Sequence, residues 1–284
     1  MRKRKIKQSE WLGLLFILPS LIGVSVFILM PFIDVIKRSF IGAMNEVFVG
    51  ISNYQMVLKN TAFKLAATNT IWFMLVCIPL LLILSLLLSQ FLFRQGKIGN
   101  YLKMAYLVPM AIPVASVVLL WRILFHRQGF LNGFINIFGI EAIDWMNSEY
   151  AFGVLVFSYI WKNVGYNIVL WLAGLSGIST SIYEAARVDG ATERKIFFRI
   201  TLPNLKATMY TIIVLSILNS FKVFREAYLV AGDYPHQSMY LLQHIFNNWF
   251  REMSFDKMSA AAVMVAFVIG GLILILQKSW DLQE

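Results

Sequence analysis

Reactive and metal-binding chemistry is nearly absent from this sequence. Its 284 residues hold one cysteine, Cys77, so no intramolecular disulfide can form. The three histidines, His126, His236 and His244, show neither an HExxH pair nor a Cys/His ligand spacing, so a metal site is not expected. A P-loop, a Gly-rich phosphate cradle and a nucleophile elbow are all missing; the chain is therefore expected neither to be an enzyme nor to bind or hydrolyse ATP itself, and no cofactor is assigned to it. Charged residues are few, at 14% of the total. Ser/Gly linkers, low-complexity runs and internal repeats are likewise missing, and with them any signal for a boundary between separately folding domains.

What the sequence has in quantity is apolar surface. Hydrophobic residues make up 59% of the chain and the mean hydropathy is +0.69, values that place it in a bilayer. Apolar windows long enough to cross a hydrocarbon core of roughly 30 Å occur near 11–33, 66–93, 104–125, 150–172, 207–231 and 259–276. Six transmembrane helices in an all-α membrane protein are predicted. The first window follows the basic run MRKRKIK but exceeds a secretion signal in length and lacks a small-residue cleavage site, so it reads as an uncleaved span. Lys and Arg are retained on the cytoplasmic side during insertion. Arg2, Lys3, Arg4, Lys5 and Lys7, then Arg94, Lys97 and Lys103, then Arg187 to Lys206, and finally Lys278 put both termini in the cytoplasm, although Lys37, Arg38, Lys59 and Lys64 weaken the bias. The net charge of +10 sits mostly beside spans, where anionic lipid headgroups are a simpler partner than nucleic acid.

Between the fourth and fifth windows lies a charged island, YEAARVDGATERKIFFRITLP, over residues 183–203. Glu184, Ala185 and Ala186 open a short helix, Gly190 supplies a turn, Ala191 to Ile200 form a second, amphipathic helix, and Pro203 ends it. The spacing of Glu-Ala-Ala, Gly190, Ile200 and Leu202-Pro203 resembles the cytoplasmic EAA loop of binding-protein-dependent ABC importer permeases. The resemblance covers residues 66–280 and implies a type I ABC importer permease fold. It divides the chain into residues 1–65, with the cytoplasmic tail, first span and outside loop, and 66–280, the permease domain. It further implies that Glu184, Ala185, Ala186, Asp189, Gly190 and Ala191 couple the chain to a separate ABC ATPase dimer, that a second permease subunit pairs with it, and that a periplasmic or extracellular solute-binding protein delivers the cargo. The location implied is the bacterial cell membrane.

Other stretches resemble the sugar-importing, maltose-type branch. Pro109 and Pro113 stand four apart in the third window, followed by Trp121-Arg122 and by Gly129-Phe130-Leu131-Asn132. In the fourth, Lys162 sits near mid-membrane, where a charge requires a hydrated cavity or a partner. Tyr159, Asn163 and Tyr166 fall at spacings that share a helical face with it, and Asn167 lies one turn on. The fifth window carries Ser216, Asn219, Ser220 and Lys222 in a run similar to the branch's Ser-Phe-Lys-x-Phe, but with Arg225 where an Asp is usual and Glu226 as the nearest acid. Tyr159, Lys162, Asn163, Asn167, Asn219, Ser220 and Lys222 are the candidate substrate path, and inter-helix hydrogen bonding is the competing account of each. The cargo expected is an oligosaccharide; a charged glycan, uronate or polyol phosphate is the alternative raised by Lys162 and Lys222. An ion-coupled secondary transporter would need inverted repeats or paired broken helices, and a membrane enzyme a catalytic constellation; neither pattern is visible.

Overall fold

A computed structural model describes residues 8–43, 46–95 and 97–281, and it is helical almost throughout. The basic residues Arg2 to Lys7 lie outside the described residues, as does the side chain of Lys97. Four helices are long and apolar enough to cross a membrane alone: α1 (Leu15–Arg38), α3 (Thr61–Arg94, 34 residues), α10 (Lys206–Ala231) and α12, which crosses over Phe255–Ser279. Two bent pairs bring the total to as many as six. One joins Tyr101–Ala111 of α4 (Lys97–Ala111) to α5 (Val114–Leu124) at 92°; the other joins α7 (Ala151–Ser176) to α8 (Thr180–Val188) at 67°. Short helices α2 (Ser52–Lys59), α6 (Phe130–Asn136), α9 (Glu193–Ile196) and α11 (Leu242–Arg251) fill the connections.

The window at 104–125 is therefore not a straight span. Pro109 is accommodated inside α4, but Pro113 has ψ 142° and caps α5. A proline disfavours helical geometry in the residue before it and offers no N–H of its own, so the ladder parts at Ile112.

By contacts the chain parts into two units, residues 1–60 with 249–270, and residues 61–248 with 271–284. In the first unit, apolar side chains along α1 are exposed, Phe16 at 83% and Phe27 at 80%, as suits a helix facing lipid. A compact turn follows it: Ile41 bridges Phe48, buried Asn53 donates to the carbonyls of Ser39 and Ile41, and Tyr54 shares a 2.7 Å hydrogen bond with Ser39. The small residues Ser259, Ala260 and Ala261 of α12 (Phe255–Asp281) are buried.

The second unit is built around α7. Phe73, Cys77 and Leu81 of α3, Leu155 and Tyr159 of α7, and Val223 and Ala227 of α10 share one buried cluster, in which the Phe73 and Tyr159 rings meet edge to face at 5.3 Å. Cys77 is thus a packing residue. Trp171 Nε1 donates to Ser85 Oγ at 3.0 Å, satisfying a buried polar group between α7 and α3. Two glycines set how closely other helices approach α7: a Cβ at Gly165 would stand 1.8 Å from the carbonyl oxygen of Tyr106 on α4, and one at Gly174 would stand 2.4 Å from Thr208 Oγ1 on α10. Dispersion and backbone proximity, rather than exclusion of water, drive such packing in lipid.

Near the start of α3, Asn69 Nδ2 donates to the carbonyls of Gln237 and Tyr240, and Thr70 Oγ1 accepts from the N–H of Leu242, pinning the approach to α11 onto α3. Fully buried His244 accepts the N–H of Leu241 on Nδ1 between the rings of Phe224 and Tyr240; burial pushes its pKa down to about 4, so it is neutral at physiological pH.

Gly165→Leu should abolish recovery of folded protein from membranes. Gly165→Ala should lower the thermal midpoint sharply, because a backbone carbonyl rather than a mobile side chain blocks the new methyl group. Wild-type stability in Gly165→Leu, followed by intrinsic fluorescence on heating, would contradict the α4–α7 contact.

Candidate translocation cavity and coupling loop

The break before Pro113 opens onto a cavity of about 370 Å³ between α7 and α10. Ala111, Ile112 and Pro113, the residues at the break, form part of its wall. Non-helical backbone at membrane depth is tolerated where it meets protein or water, so the position of the bend and the position of the cavity have one cause. Five of the seven candidate path residues line it: Tyr159, Lys162, Asn163, Asn219 and Lys222. Asn167, Ser220 and Tyr166 do not. Asn167 is buried, and its Nδ2 has no hydrogen-bond partner among the described residues; Ser220 Oγ donates back to the carbonyl of Ile217.

Within the wall the polar groups are already committed in part. Tyr159 is 2% exposed and its hydroxyl donates to the carbonyl of Ser216 at 2.8 Å, so it ties α7 to α10 rather than offering a ring face. Asn163 Nδ2 donates to the carbonyl of Tyr159, and Lys222 Nζ to Asn219 Oδ1 at 2.7 Å. Lys162 meets Glu226 in a buried ion pair across the 64 residues separating them, while the second oxygen of Glu226, Oε2, has no partner among the described residues. Glu226 and Arg225 both line the cavity and were absent from the candidate set. Their distance of three and four residues from Lys222 was the signal that could have found them.

Outside the cavity, Trp121 Nε1 donates to Ser158 Oγ at 2.7 Å and its ring packs on Trp161, while Arg122 donates to the carbonyl of Leu229. The Gly-x-Leu-Asn turn is structural. A Cβ at Gly129 would collide with the carbonyl oxygen of Ile123, and Asn132 donates to the carbonyls of His126, Arg127 and Ile143 while accepting from Ile143 N–H and Trp145 Nε1.

The charged island at 183–203 begins earlier than expected, with α8 starting at Thr180 instead of Glu184. Gly190 has φ +74°; its N–H reaches the carbonyl of Arg187, and Ala191 N–H reaches that of Ala186, a Schellman cap that needs a residue at ease with positive φ. Thr192 then caps α9, its hydroxyl accepting from Lys195 N–H. The second helix is not a regular run to Ile200: four α-helical residues pass into a wide π turn over Phe197–Thr201, and Pro203 does not end it. Pro203 sits in the first turn of the next helical segment, where its missing N–H is harmless, and the break falls at Leu205. Glu184, Ala185, Asp189 and Gly190 are exposed, with Ala186 and Ala191 half-buried, and Val188 is 88% exposed beside them. Glu193 holds the loop to the rest of the chain, accepting from Arg94 at the end of α3 and from Arg187 on α8. Each of these exposed pairs is worth only about 0–1 kcal/mol.

Removing Lys162 leaves the Glu226 carboxylate, 7% exposed, without its counter-charge. Lys162→Ala is therefore expected to cost about 3–5 kcal/mol, Glu226→Ala less because Lys162 borders the cavity, and a double Lys162→Met, Glu226→Met substitution recovers most of the larger loss. Thermal midpoints of the two single variants and the double variant measure this; additive losses would show that the two groups do not interact.

Residues 69–280 match the family described as "Binding-protein-dependent transport system inner membrane component". The arabinooligosaccharides transport system permease of Bacillus subtilis is 34% identical over 242 residues, covering 79% of this chain and 76% of that protein. The trehalose/maltose transport system permease of Thermococcus litoralis is 28% identical over 273 residues, covering 94% and 92%. Among solved structures, a bacterial ABC transporter involved in importing the acidic polysaccharide alginate shares the fold with a TM-score of 0.81 at 20% identity, over 96% of each chain. With α7 packed against α3, α4 and α10 and the EAA-type loop exposed at the end of the same helix, the chain belongs to the family of inner membrane components of binding-protein-dependent transport systems.

Proposed function

We propose that this chain is the permease of an ATP-driven carbohydrate importer, that α8 and the turn at Gly190 dock on a separate ATPase dimer, and that a second permease subunit completes the cavity. One observation carries the reading: α7 contributes Tyr159, Lys162 and Asn163 to the cavity and then bends by 67° into the exposed α8. A push on α8 is thereby delivered to the helix that lines the path. The carbohydrate cargo is supported by relatives named for arabinooligosaccharides and for trehalose and maltose. A solute-binding protein presents that cargo from outside, with both termini and the 183–203 loop in the cytoplasm.

The mechanism follows from linkage. Loaded binding protein and ATP shift the complex between inward- and outward-facing states only to the extent that each binds one state better. Closure of the ATPase dimer moves α8, α7 tilts with it, and the wall formed by α7, α10 and the Ile112–Pro113 break changes side.

Gly190→Val adds a branched side chain where space is open but the backbone is left-handed. The strain of about 1–3 kcal/mol should deform the docking turn and reduce ATPase stimulation by loaded binding protein roughly tenfold or more, with the transmembrane fold intact by thermal melting. Full stimulation in the variant would remove the coupling role from this loop.

Orientation is read with cysteines. In a Cys77→Ser background, an impermeant thiol reagent applied to intact cells should label Tyr234→Cys and spare Ser181→Cys, two exposed positions on opposite sides of the proposed topology. The opposite labelling pattern would invert the chain and rule out an inward-facing coupling loop.

A further inference from the structure

The charges of the cavity do not cancel. Three cations line it, Lys162, Lys222 and Arg225, against one carboxylate, Glu226. Lys162 is matched by Glu226 in the buried pair. Lys222 and Arg225 are exposed to the cavity and have no carboxylate partner among the described residues; the Lys222 ammonium is steered by Asn219 alone. Their placement comes from the backbone, because the 3₁₀ turn at Phe221–Val223 that carries Lys222 leads directly into the α-helical segment that carries Arg225, and helical residues three apart are neighbours on one side.

From this we infer that the transported saccharide is acidic, with a carboxylate, sulfonate or phosphate group held between Lys222 and Arg225. The inference rests on the reading of the cavity as the sugar path. A cation on a membrane-spanning helix calls for water or an anion. A sugar hydroxyl can accept a hydrogen bond from either side chain but leaves the charge unmatched, whereas an anionic group matches both and presents two oxygens to the guanidinium fork. A volume of about 370 Å³ suits a short saccharide segment and falls within the ~300–1,000 Å³ usual for small-ligand sites.

The experiment uses the assembled transporter in lipid nanodiscs and compares binding of trigalacturonate, maltotriose and inorganic phosphate by saturation-transfer NMR. Trigalacturonate should bind more tightly than maltotriose, the preference should weaken with added salt, and Lys222→Gln or Arg225→Gln should each reduce the acidic-to-neutral ratio about tenfold, with Lys222→Arg retaining it. A wild-type ratio at or below one, or a ratio that neither substitution moves, overturns the inference while leaving a carbohydrate path in place. Phosphate competing as well as the trisaccharide would reduce the site to one for simple anions and overturn it too. Loss of subunit association in Arg225→Gln with an unchanged ratio would assign the cations to an acidic partner chain instead. Binding of neither saccharide would overturn the underlying reading of the cavity itself.

Discussion

A peptide group released from a helix in hydrocarbon has no water to bond with, and that constraint organises this protein. Pro113 forces such a release between α4 and α5. The freed backbone can persist only beside protein or a wet space, and α7 and α10 provide both, placing an open cavity against Ala111–Pro113. Once water enters at that depth, lysines and an arginine become tolerable on the same wall, and one carboxylate can be buried against Lys162. The polar path is thus the consequence of a broken helix more than of any single polar residue.

α7 is where structural and functional demands meet. Its buried face holds the core with α3 and α10 through Leu155, Tyr159 and Trp171, Gly165 admits the backbone of α4 and Gly174 the Thr208 side chain of α10, and its remaining face borders the cavity. Tyr159 shows the division well: a residue on the candidate substrate path commits its hydroxyl to Ser216 and packs its ring on Phe73. Attachment on three sides holds α7 in one packed body that runs from the cavity to the bend into the exposed α8.

The readability of these features from sequence tracks how local their causes are. The turn at Gly190 was legible because one residue's positive φ and two hydrogen bonds to residues three and five back define it. The spans were legible because apolar length is additive along the chain. The 92° bend was not, since hydropathy counts residues without regard to dihedral angles, and of two prolines four apart only Pro113 breaks the helix. Pro203 misled in the opposite direction: it falls in the first turn of a new helical segment, where no donor is needed, so the chain stays helical past a residue that sequence rules treat as a stop. The pairing of Lys162 with Glu226 spans 64 residues and two helices, and no spacing rule reaches that far. Asn167 and Asn163 are a turn apart on one helix, yet only Asn163 meets the cavity, because helix rotation against α3 and α10 is decided by packing.

The length of α3 carries a mechanical consequence. At about 1.5 Å per residue, its 34 residues extend roughly 51 Å, far more than a hydrocarbon core of about 30 Å. The surplus must tilt or project, and Arg94 at the final residue travels with it to the water side, where Glu193 joins it to the loop between α8 and α9. Membrane thickness therefore enters the structure as a boundary condition: a thicker or thinner bilayer changes the tilt of α3, and with it the height at which the loop is presented to whatever binds it. Lipid composition and the position of the exposed loop are tied together through one unusually long rod.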